Sequence, residues 1–186
     1  MDGAHITRVS EPGIDGTFED YSASVAPAGY IVFVRGRNAD LKSAVFRMSS
    51  GAGHVRRLTP WRLSADLPEI SPATSGPTQD LVVFETYGHG APNGKAQAIA
   101  TVSAACSARH RIRYLTSPTS LPIQNFNPAW SPDGRSVAFV RFKFVASEGV
   151  PHGDIWTMSW DGRHREQVSH SPLFEFRPDW GTTPRR

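Results

Sequence analysis

The sequence predicts an all-β chain made of repeated β-propeller blades, and three observations predict it. The first is a recurring apolar run: Ile31-Val-Phe-Val34, Leu81-Val-Val-Phe84 and Val137-Ala-Phe-Val140, with Phe33, Phe84 and Phe139 spaced 51 and 55 residues apart. The second is a recurring entry to those runs, Ala26-Pro27, Ser71-Pro72 and Ser131-Pro132. The third is a closing landmark: Arg57-Leu-Thr59, Tyr114-Leu-Thr116 and Gln167-Val-Ser169. Self-similarity near fifty residues, carried by short apolar segments between turn residues, is the mark of four-stranded blades. A parallel β-helix would repeat at a shorter period, and a β-sandwich would not repeat its sequence.

The elements follow in order. Within each unit a third segment lies between the apolar run and the closing strand. It is clearest at Asp154-Ile-Trp-Thr-Met158, with counterparts Ala44-Val-Phe-Arg-Met48 and Ala98-Ile-Ala-Thr-Val102. Asp133-Gly134 and Asp161-Gly162 read as tight turns, because Gly tolerates the positive φ such turns demand. No window sustains a 3.6-residue apolar period, so helices should be nearly absent. These units place blades at about 20–59, 68–116 and 126–169, an isolated outer strand at 5–10 and an inner strand at 174–181, all in one domain.

Composition sets limits. Gly 16 and Pro 15 among 186 residues suit a turn-dense β protein. The formal charge of +3 is a small excess, and the Arg residues are scattered, the tightest group being Arg109, Arg111 and Arg113. A nucleic-acid surface would need a contiguous basic face with stacking aromatics, so no nucleic-acid partner is expected. No apolar stretch approaches membrane-spanning length, and the first residues, Met-Asp-Gly-Ala-His, do not read as a signal peptide. Cys106 stands alone and has no partner for an internal disulfide.

The string Asn127-Pro-Ala-Trp-Ser-Pro-Asp-Gly-Arg-Ser-Val-Ala-Phe-Val140, followed by Gly153-Asp-Ile-Trp-Thr-Met158, Asp161-Gly162 and Gln167-Val-Ser169, resembles the repeat of TolB-type (WD40-like) propellers. The likeness is strongest over 126–181 and extends by repetition to the two earlier units, where Ile70 and Val25 replace the Trp. The resemblance implies a propeller that usually has six blades, so this chain reads as a partial one with about three blades and single closing strands at both ends. Such open edges must be paired or covered. Truncation of a longer protein is the favoured explanation, and a homodimer is the alternative if the chain is complete. The resemblance further implies a non-catalytic scaffold for a protein or peptide, working in the cell envelope (periplasmic or extracellular) if the start is truncated. Two other classes stay open: a propeller that gates or supports a hydrolase such as a serine peptidase, and a carbohydrate-binding or carbohydrate-active propeller.

Candidate site residues are few. Trp130 and Trp180 recur at equivalent positions, which marks them as packing residues rather than ligand-stacking ones. Asp133 and Asp161 precede Gly in turns, where Asp caps its own backbone. His5, His54 and His164 occupy one repeat position on different blades, too far apart to share a metal, and no metal or cofactor site is expected. The loop His89-Gly-Ala-Pro-Asn-Gly-Lys95 imitates a phosphate loop, but Ala96 replaces the required hydroxyl. No Gly-x-Ser-x-Gly elbow or His-Glu-x-x-His motif occurs, so no catalytic residue is assigned. What remains is the mouth of the axial channel, where inner strands begin near Asp20, Asn125 and Glu175, with Ser22, Asn127 and Arg177 two positions on. These six are the binding candidates.

Overall fold

A computed structural model describes residues 9–10, 16–51, 53–87, 97–105, 111–117, 123–144, 151–171 and 173–181. Residues 5–8 of the expected outer strand, with His5, lie outside the described residues, as do the 89–95 loop, Cys106 and Arg109. The strands are β1 (Phe18–Val25), β2 (Tyr30–Arg37), β3 (Lys42–Ser49), β4 (Arg56–Arg57), β5 (Ala65–Ile70), β6 (Leu81–Tyr87), β7 (Gln97–Ser103), β8 (Arg113–Tyr114), β9 (Ile123–Trp130), β10 (Ser136–Phe144), β11 (Pro151–Ser159) and β12 (Glu166–Gln167). They form three four-stranded antiparallel sheets, each in simple chain order. The single helical element among the described residues is a 3₁₀ turn at Trp61–Leu63. This is a partial β-propeller, with β1–β4 as blade 1, β5–β8 as blade 2 and β9–β12 as blade 3.

Strand alternation explains how the blades stack. In blade 2, Val82 and Phe84 join Val32, Val45 and Leu58 of blade 1 in one core. The alternate face, Val83 and Ile99, packs against Trp130, Val137 and Phe139 of blade 3. Phe33, at the equivalent position in blade 1, packs instead on Phe46, Met48, Trp61 and Val9. Val9 and Ser10 are thus described as packing chain rather than strand.

The closing landmark has a physical reason that repeats three times. Leu58, Leu115 and Val168 donate their N–H groups to Val45, Ile99 and Ile155 carbonyls, each at 2.8 Å. The hydroxyl one residue on, of Thr59, Thr116 or Ser169, accepts the N–H of that same Val45, Ile99 or Ile155 at 2.9, 2.9 and 2.8 Å. One Leu/Val–Thr/Ser pair therefore closes both backbone groups of the third strand, and strand four can stay two residues long. The Asp-Gly turns act locally: Asp133 accepts from Ser131 Oγ and Arg135 N, and Asp161 from Arg163 N. Gly162, at φ +82°, also lies against blade 2, where a Cβ would stand 2.7 Å from the Leu115 carbonyl oxygen.

Each blade starts earlier than the sequence suggests, at 18, 65 and 123 rather than 20, 68 and 126. Residues 174–181 form no ladder and are not a strand among the described residues. They nevertheless run along blade 3, with Glu175 N–H donating to Gly153 O at 2.9 Å and Trp180 Nε1 to Ala129 O at 3.1 Å.

Candidate functional site

The inner strands β1, β5 and β9 carry the site, and one backbone irregularity in each creates it. Ladder register shifts between Tyr21 and Ser24, between Asp66 and Glu69, and opposite Phe126 to Ala129. At each bulge one residue adopts left-handed φ: Ser22 (+49°), Leu67 (+45°) and Asn127 (+51°), and Arg177 (+55°) repeats it in the final segment. Each such residue costs on the order of 1–2 kcal/mol when it is not Gly. At three of the four the conformation is held by polar capture of the residue's own N–H: Leu67 donates to Asp66 Oδ1 (2.7 Å), Asn127 to Glu85 Oε2 (2.7 Å) and Arg177 to Asn127 Oδ1 (3.2 Å). The residue after each of the four is Ala23, Pro68, Pro128 or Pro178. Proline suits it, because its missing N–H has no ladder partner to lose at a bulge.

The three bulges and the left-handed turn at Arg177 converge on one depression of about 400 Å³, lined by Ser22, Leu67, Glu69, Asn127, Arg177 and the three prolines. Of the six residues expected at the channel mouth, the structure brings Ser22, Asn127 and Arg177 together here. Asp20, Asn125 and Glu175 go elsewhere. The Asp20 carboxylate takes Arg35 Nε and Nη2, both at 2.7 Å, and this guanidinium lies over the Phe18, Phe33 and Phe46 rings. Asn125 is buried, and Glu175 is half-buried with Oε2 making no hydrogen bond. Period-2 alternation assigned both sets by register; the bulge turns only the second set toward the mouth.

Sequence reasoning missed Leu67, Pro68 and Glu69 because blade 2 has Ala65 where the others carry Asp20 and Asn125. The signal existed: Leu67-Pro-Glu-Ile70 aligns position by position with Asn127-Pro-Ala-Trp130 and Arg177-Pro-Asp-Trp180, sharing the Pro and a large apolar residue two places after it. Glu69 is the carboxylate lining the depression. Its Oε2 accepts Trp130 N–H at 2.8 Å, and its carbonyl accepts Trp130 Nε1 at 3.1 Å. Burial pushes this carboxyl up to about 7, with nearby Asp179 adding to the rise and the Trp130 N–H opposing it. The rim thus offers an exposed guanidinium, an amide and a hydroxyl beside a carboxyl that titrates near neutrality, between apolar proline walls. That arrangement can hold polar backbone groups of an extended chain.

No family model matches the chain, and no curated protein does either. Among solved structures it is similar to a putative TolB from Agrobacterium tumefaciens, with a TM-score of 0.59 and 20% identity over 80% of this chain and 48% of that one. It is also similar to the Kuenenia stuttgartiensis hydrazine synthase, with a TM-score of 0.60 and 14% identity over 80% of this chain and 25% of that one. At these identities the likeness is one of fold: the chain has a TolB-like propeller architecture and spans about half the length of the first protein and a quarter of the second.

Proposed function

We propose that the chain is a non-catalytic, TolB-like β-propeller scaffold that binds a protein or peptide partner at the inner rim, in a cell-envelope setting. The observation that carries this reading is the convergence of Ser22, Leu67, Asn127 and Arg177, all in left-handed backbone conformations, on one proline-walled depression. Four of the nine described non-Gly residues with positive φ meet at this one concave place, and strain gathered in a concavity supports a functional reading. The groups supplied are hydrogen-bonding and cationic ones suited to peptide carbonyls and carboxylates.

Panning a displayed library of random linear peptides against the purified chain tests the reading. Enriched peptides should lose at least about tenfold in affinity for Asn127→Ala/Arg177→Glu, the loss expected when charge-assisted hydrogen bonds are removed. Peptides that bind this variant as well as the wild type would sink the assignment of the rim.

A further inference from the structure

Blade 2 departs from its neighbours in one buried place. Where blades 1 and 3 carry Val34 and Val140, blade 2 carries Glu85, and where they carry Tyr21 and Phe126 it carries Asp66. Asp66 and Glu85 are direct cross-strand partners, so both carboxyls stand on one face of the sheet, at the spacing where like charges destabilise a ladder. Glu85 is wholly buried; Oε2 holds the Asn127 N–H, while Oε1 makes no hydrogen bond. Tyr87, two residues along the strand on the same face, lies beside the Glu85 carboxyl, and Tyr21 reaches across from blade 1 to Asp66.

Asp66, Tyr21 and Tyr87 border a slot of about 360 Å³ between blades 1 and 2, with Glu85 beneath its wall rather than in its lining; the slot shares no lining residue with the inner-rim depression. The slot is shaped by its backbone. A Cβ on Gly36 would come within 3.3 Å of Tyr21 Cε1, so Gly36 gives that ring room which a side chain would take back by a few tenths of an ångström. Ser64, at φ +43°, accepts the Tyr87 N–H at 3.1 Å. The cations at the slot edge are already engaged: Arg37 makes a two-point pair with Asp40, and Lys42 lies 3.5 Å from the same carboxylate. Glu19 adds a further negative charge at the edge. Asp66, Glu85, Tyr21 and Tyr87 all titrate above their ordinary values, burial first in each case, with the proximity of Asp66 raising the other three.

We propose that this slot is a binding site for an alkyl-ammonium group, seated on Asp66 with Glu85 behind it and the Tyr21 and Tyr87 rings as walls. Three N–H donors of an ammonium match one carboxylate and two phenol oxygens, and the ring faces favour a cation. A divalent metal fits less well, because among the described residues no third carboxylate, His or Cys, Glu19 included, stands where it could complete a metal site with the pair. The same ammonium can come from a free small amine or from a lysine side chain of a docked protein. The inference does not depend on the inner-rim reading.

Calorimetric titration of the whole chain with n-butylamine, and separately with acetyl-Gly-Lys-Gly-amide, tests it. Saturable binding of both is expected, with Asp66→Asn weakening it at least about tenfold and Tyr87→Phe weakening it less. Stronger binding of the peptide assigns the slot to lysine side chains; stronger binding of butylamine assigns it to free amines. Carboxyl carbon-13 NMR of the wild type supplies a check that needs no variant: either probe should move the Asp66 and Glu85 resonances toward the ionised form. Absence of saturation and of any such movement overturns the proposal, as does unchanged affinity in folded Asp66→Asn.

Discussion

The seam between blades 1 and 2 and the seam between blades 2 and 3 solve one packing problem with different chemistry. In the first, Ser24 Oγ accepts the Ile70 N–H at 3.2 Å, and an apolar core is joined by the Tyr30–Asp80 and Arg47–Ala104 hydrogen bonds and by Tyr21 reaching Asp66 at the slot. In the second, Glu69 stands where Ser24 stood and takes the Trp130 N–H with a carboxylate, while Glu85 takes the Asn127 N–H one bulge further on. A large indole replaces Ile, and two buried acids replace a hydroxyl and an apolar residue. A carboxylate makes the stronger hydrogen bond, but its desolvation is expensive, so the second seam gains specificity at a cost that depends on pH.

The sharpest way to separate the seams is to remove the indole. Trp130 is 3% exposed and packs on Val83, Ile99 and Leu115 of blade 2. Trp130→Ala should cost about 3–5 kcal/mol, the range for truncating a buried aromatic, read as the shift in urea midpoint at constant slope. Ile70→Ala, at the equivalent place in the first seam, should cost about 2–4 kcal/mol because fewer atoms are lost. Equal losses would mean that the larger ring adds nothing to the second seam.

Acidity should separate them next. Glu69 titrates near 7 when folded and near 4.5 when unfolded, so between these values the folded state binds more protons. Stability therefore falls as pH rises through that window and is level above it. Allowing for partial exposure, the loss for Glu69 is on the order of 1–2 kcal/mol between pH 5 and pH 8. Glu85, at the same seam, is displaced in the same direction and adds to the slope; Asp66, displaced likewise, faces blade 1 and adds to it from the first seam. Glu69→Gln keeps an acceptor for Trp130 N–H and should flatten part of the dependence, whereas Ser24→Ala should leave it unaltered. A wild-type stability that rises from pH 5 to pH 8 would reverse the sign and rule out buried protonated acids at this seam.

These two seams also show what was legible in the sequence. The repeat, its apolar runs and the closing Leu/Val–Thr/Ser pairs stand in the sequence because every blade needs them. The indoles read as packing residues, and Trp130 and Trp180 both direct Nε1 to a carbonyl of the preceding inner strand. The bulge was not legible. A strict two-residue alternation carries Asp20 and Ser22 to one side, and it takes the inserted residue at Ser22 to separate them. Blade 2 hid its rim residues because its strand begins with Ala65, and Glu85 hid inside an apolar run where a charge is not expected. Asp20 shows the limit from the other direction: only the fold reveals that Arg35, fifteen residues on, neutralises it.

The smallest expected difference lies at the blade rims, where the two seams should agree. Thr59 and Thr116 are 1% and 3% exposed, and each hydroxyl accepts an N–H of the third strand, so losing it strands a buried donor. Thr59→Val and Thr116→Val preserve shape and should each cost about 1–2 kcal/mol. Ser169 makes the same bond to Ile155 in blade 3, but it is half-buried beside the 58%-exposed Val168. Water can replace its hydroxyl there, so Ser169→Ala should cost about 0.5 kcal/mol. Amide exchange at Val45, Ile99 and Ile155 gives the residue-level readout. Protection should fall at Val45 and Ile99 in their respective variants, while Ile155, already beside solvent, should change least. If all three lose protection equally, the closing pair acts through backbone geometry alone and its burial is irrelevant.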